Sequence, residues 1–96
     1  MTKHATATVT VLNDEGLHMR PVDLLVQTAN RFKCEITFEK GSQKVDCRSY
    51  LAMLGLGATG GEQLTVDATG DDADEAVAEI VKLFDQKFNE ASSQGA

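Results

Sequence analysis

Gly16-Leu17-His18-Met19-Arg20-Pro21-Val22-Asp23-Leu24-Leu25-Val26-Gln27-Thr28-Ala29-Asn30-Arg31-Phe32 is the stretch that organises this chain. From Pro21 onward, Val22, Leu25, Val26, Ala29 and Phe32 recur at helical spacing and draw one apolar stripe along about three turns. Pro21 suits the first turn of that helix, where an amide would have had no carbonyl partner. Gly16 loosens the chain just before Leu17, so the helix begins close to His18. An imidazole is thereby expected at the mouth of a helix, with a loop behind it.

The period is different on either side. Ala5–Leu12 alternates small or apolar residues with Thr, the mark of a half-buried strand, and Asn13–Gly16 reads as a loop. Downstream, Cys34, Ile36 and Phe38 alternate with Glu35, Thr37 and Glu39 in a second strand. Gly41-Ser42 supplies a two-residue turn with Gly first, leading into Gln43–Cys47 as a third. That hairpin sets Ile36 opposite Cys47 and leaves Cys34 as a diagonal neighbour. Ser49 is the expected N-cap of a short helix that ends at Gly55, and Gly57–Gly61 is a flexible connection. Leu64–Ala68 alternates again. A last helix is expected to be capped by Asp71 or Asp72, carries Asp74 and Glu75 at its positive end, and has the stripe Ala73, Ala76, Val77, Ile80, Phe84 and Phe88.

The order β-α-β-β-α-β-α predicts an α+β fold, a four-stranded antiparallel sheet with three helices on one face. Residues 1–90 read as a single domain and 91–96 as a polar C-terminal tail. With 96 residues the chain can bury roughly 65% of its unfolded surface, enough for one core. It has no apolar run of the ~20 residues needed to cross a membrane, and no apolar leader at its start, which points to a cytoplasmic protein. Two cysteines, Cys34 and Cys47, are read as reduced, half-buried strand residues, and no Cys or His spacing suggests a metal site. The net charge of −6 argues against nucleic-acid binding. Asp71, Asp72, Asp74, Glu75 and Glu79 account for five of those six charges, so the rest of the surface is nearly balanced and able to meet an anion.

His18 is where such an anion would go. The first-turn N–H groups of the helix lie beside the ring and make an anion site, and the Arg20 guanidinium can hold phosphate oxygens in its fork. The positive helix end favours the neutral, nucleophilic imidazole over the imidazolium. Attack on a phosphoryl donor gives a phosphoramidate. An exposed, shallow site suits a transient product, because every ~1.4 kcal/mol of extra stabilisation slows onward transfer tenfold.

Gly16-Leu17-His18-Met19-Arg20-Pro21 resembles the Gly-[Leu/Ile]-His-Ala-Arg-Pro signature of the HPr family, the histidine-containing phosphocarriers of the sugar phosphotransferase system. The resemblance runs from about Thr8 to Phe88, including Leu25-Val26-Gln27-Thr28-Ala29 and the segment from Val45 to Gly61. It implies an open-faced β-sandwich. It also implies a carrier and not an enzyme, with no cofactor: His18 takes a phosphoryl group on ring Nδ1 from enzyme I and passes it to transporter IIA domains, with Arg20 as anion partner. Arg48-Ser49 resembles the regulatory site modified by an ATP-dependent HPr kinase/phosphorylase, which would recruit a regulatory partner, such as a transcriptional regulator. Leu17, Met19, Tyr50, Leu51 and Leu54 are expected to form an exposed docking patch, with positive charge from Arg20, Lys44 and Arg48 around it; either Leu51 or Met53 should point inward. A monomer suits a shuttle. Three residues depart from the family pattern: Met19 replaces a small residue, Asp23 places a carboxylate in the first helical turn, and Tyr50 is bulkier than the usual aliphatic. The other reading is a regulatory interaction protein governed mainly by Ser49 phosphorylation, without a full sugar-transport role.

Overall fold

The apolar periods become the elements they anticipate. The computed structural model describes residues 3–89. Along it run β1 (His4–Thr10), α1 (Met19–Ala29), β2 (Glu35–Lys40), β3 (Gln43–Asp46), α2 (Tyr50–Gly55), β4 (Gln63–Thr69) and α3 (Ala73–Asp85). The strands form one antiparallel sheet in the order β1-β4-β2-β3. Register places Val9 opposite Leu64, Ile36 opposite Ala68, and Phe38 between Val66 and Val45. Because successive side chains alternate, this lines the apolar residues along one face. The helices cover that face. The other face carries Thr6, Thr8, Glu35, Thr37 and Asp67 and meets solvent, so the sandwich is open on one side. Each fully buried Phe, Leu or Ile on the inner face contributes about 1.5–3 kcal/mol.

Gly41, at φ +60°, takes the first position of the two-residue turn between Lys40 and Gln43, a conformation that favours glycine. The Cys47 amide donates to the Ile36 carbonyl at 2.9 Å, which continues the expected register past the end of β3.

Four expectations need correction. β1 stops at Thr10, and the side chain of Leu12 beyond it is exposed. The cysteines are fully buried, not half-buried, and both are free thiols. Asp23 lies in the second turn of α1 and not the first, because the helix opens at Met19; its carboxylate accepts from Gln27 Nε2 at 2.8 Å. Finally, α3 ends at Asp85, and Phe88 reaches the core by another route. Lys87 and Phe88 adopt positive φ, near 53° and 54°, and this left-handed turn folds the Phe88 ring back against Phe84 at 4.8 Å in an edge-on contact. Burial of one large ring, about 3–5 kcal/mol on truncation to Ala, offsets the roughly 2–4 kcal/mol that left-handed backbone costs at the two residues together. The tail at 91–96 lies outside the described residues.

Candidate functional site

His18 is the N-cap residue of α1, in extended conformation at φ −102° and ψ −164°. Three hydrogen bonds put it there. Asn13 is buried and its Nδ2 donates to the Gly16 carbonyl at 2.6 Å, while the Gly16 amide donates back to the Asn13 carbonyl at 3.1 Å. The Leu17 amide then donates to the Ala58 carbonyl at 2.9 Å, tying the loop to the segment that follows α2. Gly16 has φ +72°, and a Cβ there would strike the Ala58 carbonyl oxygen, so both its backbone and its lack of a side chain are required.

The local chemistry is that of a helix mouth with donors to spare. Met19 and Arg20 have no intrahelical acceptor for their amides, Pro21 has no N–H, and the Val22 amide donates to the His18 carbonyl at 3.1 Å. The His18 side chain makes no capping hydrogen bond. Its ring is about one-third exposed, with side-chain accessibility of 34%, and Nε2 lies 3.4 Å from Oε1 of Glu15. Arg20 is exposed in the first turn.

Two further segments complete the surroundings. Lys40, at the end of β2, donates through Nζ to the Leu56 carbonyl at 2.9 Å and lies 3.4 Å from Glu62 Oε1. Glu62 accepts from the Thr59 amide at 2.7 Å and from its hydroxyl at 3.0 Å, contacts that hold its carboxyl below the usual range. The shelf under the histidine loop is therefore pinned to the sheet. Gly57–Gly61 is expected from the sequence to be flexible, and Glu15, Lys40, Ala58 and Glu62 belong to no motif. Glu15 alone left a trace in the sequence, a carboxylate three residues before the histidine.

Ser49 is the N-cap of α2, and its Oγ accepts from the Ala52 amide at 3.4 Å. Arg48 precedes it and donates through Nη2 to the carbonyls of Ala29 and Phe32 at 2.7 and 2.6 Å, closing the C-terminal end of α1. Ala58 follows α2 and meets Leu17 at the opposite end of α1. The two helices, which pack together, thus run antiparallel. Ser49 lies toward the far end of α1 from His18, and α1 is about 16 Å long at 1.5 Å per residue.

The expected docking set divides. Met19 and Leu51 are exposed, at 66% and 78%. Tyr50 and Leu54 are half-buried, and Met53 is the α2 residue that turns inward. Leu17 is buried at 5% and belongs to the core, which corrects its place in an exposed patch. It is drawn inward by the hydrogen bond that its amide donates to the Ala58 carbonyl. The Arg48 guanidinium is likewise turned to the end of α1 and does not ring a surface patch.

The cysteine thiols take no part. Burial first, then Asp72 beside it, pushes Cys34 up to about 11. Burial pushes Cys47 up to about 12. Neither offers a thiolate near neutral pH. Among the described residues no group of three or more His, Cys, Asp or Glu side chains is placed to hold a metal ion, and no helix is long and apolar enough to cross a membrane.

Comparison with known proteins agrees with this geometry. The family model described as the PTS HPr component phosphorylation site matches residues 5–86. The chain is 36% identical over 83 residues to phosphocarrier protein HPr of Treponema pallidum, covering 86% of this chain and 94% of that protein. It is 40% identical over 84 residues to phosphocarrier protein NPr of Shewanella violacea, covering 88% and 92%. Among solved structures, HPr-C-His from Thermoanaerobacter tengcongensis superposes with a TM-score of 0.86 at 38% identity, covering 90% of this chain and 97% of that one.

Proposed function

This chain belongs to the HPr family of phosphocarrier proteins, and from that membership we propose that His18 is its phosphoryl acceptor. In this reading Nδ1 of the ring attacks the phosphoryl group carried by enzyme I, the donor's bond to phosphorus breaks, and the phosphoryl group is later surrendered to a IIA domain of a sugar transporter. The protein acts in the cytoplasm as a co-substrate of both partners and as a monomer. It is loaded by one and unloaded by the other.

One observation carries the reading: a one-third-exposed imidazole stands at the N-cap of α1 without using the helix amides for its own side chain. The N–H groups of Met19 and Arg20 and the guanidinium of Arg20 are then available to phosphoryl oxygens. Met19 and Leu51, with the half-buried Tyr50 and Leu54, supply apolar surface for docking. Leu17 and Arg48 support this surface from beneath and from the end of α1.

Ser49 is the regulatory position in this proposal, modified by an HPr kinase/phosphorylase and read by a regulatory partner. A phosphate there adds about −1.5 to −2 charge at a helix start, where the fold tolerates it and the docking surface is altered.

Incubation with enzyme I and labelled phosphoenolpyruvate tests the main claim. The expected product is an acid-labile, alkali-stable phosphate that is absent from His18→Ala; an unlabelled wild-type protein overturns it. For the second site, full labelling of Ser49→Ala by the kinase would remove Ser49 from the scheme.

A further inference from the structure

We propose that Glu15 is a positioning residue that biases which ring nitrogen of His18 bears the lone pair that takes the phosphoryl group. The inference rests on His18 as the acceptor and adds the agent of its regiochemistry. Oε1 of Glu15 lies 3.4 Å from Nε2. An ionised carboxylate only accepts hydrogen bonds, so this neighbour is satisfied when Nε2 carries the ring proton. The lone pair of the neutral ring is then on Nδ1. The other tautomer, with the proton on Nδ1 and the lone pair on Nε2, sets two electron-rich atoms against each other and is disfavoured.

The same contact serves each half of the transfer. When the Nδ1 lone pair forms the new N–P bond, the donor's bond to phosphorus breaks and its electron pair stays with the donor. Nε2 keeps its proton, and the positive charge that appears on the ring faces the Glu15 carboxylate. On onward transfer the N–P electron pair returns to Nδ1. The leaving group is a neutral imidazole because Nε2 is still protonated, where a bare Nε2 would force departure as an imidazolate. Glu15 is well placed for this task and little else: its side chain is 77% exposed, so it adds little to the core. An exposed pair is weak, which sets the expected size of the effect at about a two- to fivefold bias between tautomers.

The test uses the full-length protein labelled with ¹⁵N-histidine in a His4→Gln background, since His4 Nε2 lies 3.3 Å from Asp67 and would give a similar signal. Ring ¹⁵N shifts of the neutral, unphosphorylated protein report the tautomer directly. Wild type is expected to favour the Nε2–H form. Glu15→Ala should weaken that preference by about two- to fivefold, and Glu15→Lys, which presents a donor in place of an acceptor, should shift it further toward Nδ1–H. Phosphorylation by a small phosphoramidate then gives a second readout, the ratio of Nδ1 to Nε2 phosphohistidine by ³¹P NMR, which should fall in the same order. A tautomer ratio in Glu15→Ala equal to wild type overturns the proposal. Neither measurement involves enzyme I, so a failure of enzymatic labelling and a failure of this inference are separate results.

Discussion

Arg48→Ala separates a residue that holds the fold from one that greets a partner. Its guanidinium donates to two carbonyls at the end of α1, at 2.7 Å to Ala29 and 2.6 Å to Phe32. A hydrogen bond from a charged donor contributes about 1.5–3 kcal/mol when buried. Here both bonds come from one half-buried nitrogen, and the Ala29 carbonyl also accepts from the Phe32 amide at 3.1 Å. Water can reach the orphaned oxygens, so the pair together should be worth about 2 kcal/mol, near the lower end of the range. In a domain of this size that lowers Tm by about 8–16 °C. Urea unfolding followed by circular dichroism should give a lower midpoint with an unchanged slope, because the surface exposed on unfolding stays the same. Arg48→Lys, which reaches one carbonyl at a time, should fall between the two. Phosphorylation of His18 in the folded variant should stay within about twofold of wild type, as that site is at the other end of α1. A loss below about 0.5 kcal/mol, as for an unremarkable surface change, would refute the structural role.

Gly16→Ala should cost about 2 kcal/mol or more, since a left-handed backbone and a Cβ driven into the Ala58 carbonyl are both imposed, and ¹⁵N–¹H spectra should show His18 and Met19 displaced most. Phe88→Ala removes a fully buried ring in contact with Phe84 and should cost about 3–5 kcal/mol by chemical denaturation, against less than about 1 kcal/mol for an exposed residue of the same turn such as Lys87. Asp72 accepts from the amides of Lys33 and Cys34 at 2.9 and 3.0 Å, and the Lys33 bond foremost holds its carboxyl below the ordinary range. A lowered folded value means the stabilisation is present above about pH 4 and disappears as acid protonates the folded carboxylate. The Tm gap between wild type and Asp72→Asn should therefore be constant from neutral pH down to about pH 4 and close below it; a gap that survives at pH 2 would exclude this origin.

What could be read from the sequence was whatever a period or a single residue's stereochemistry dictates. Alternation at Cys34–Phe38 and Leu64–Ala68 gave strands that the sheet confirms within a residue or two, and Pro21 placed the start of α1 at the histidine. Ser49 could be assigned as an N-cap because its side chain bonds within its own turn. Leu17 was misplaced for the opposite reason. Its burial depends on Ala58, some forty residues away in the chain, and no local pattern encodes that bond. Arg48 was misread on the same ground: a cation beside a serine suggests a surface, whereas its partners belong to the end of another helix. Phe88 kept the helical spacing of α3 but not its backbone, since the left-handed turn at Lys87 and Phe88 brings the ring to the same side of the core.

The two N-caps treat their helices differently, and this asymmetry suits two kinds of chemistry. Ser49 spends its oxygen on the Ala52 amide, so any group added there must supply a replacement acceptor and is held by the helix it caps. His18 makes no side-chain capping bond to α1, so under the proposed role the amides of Met19 and Arg20 can meet an incoming anion. In that role, a phosphoryl group added at His18 would gain contacts with those amides without breaking a capping bond to α1. Because the loop that presents the ring is fixed through Gly16, Ala58 and the Lys40–Glu62 pair, little reorganisation accompanies either step. A site that neither strains nor refolds between its two states keeps loading and unloading close in free energy, and each ~1.4 kcal/mol of imbalance avoided is a factor of ten preserved in the slower direction.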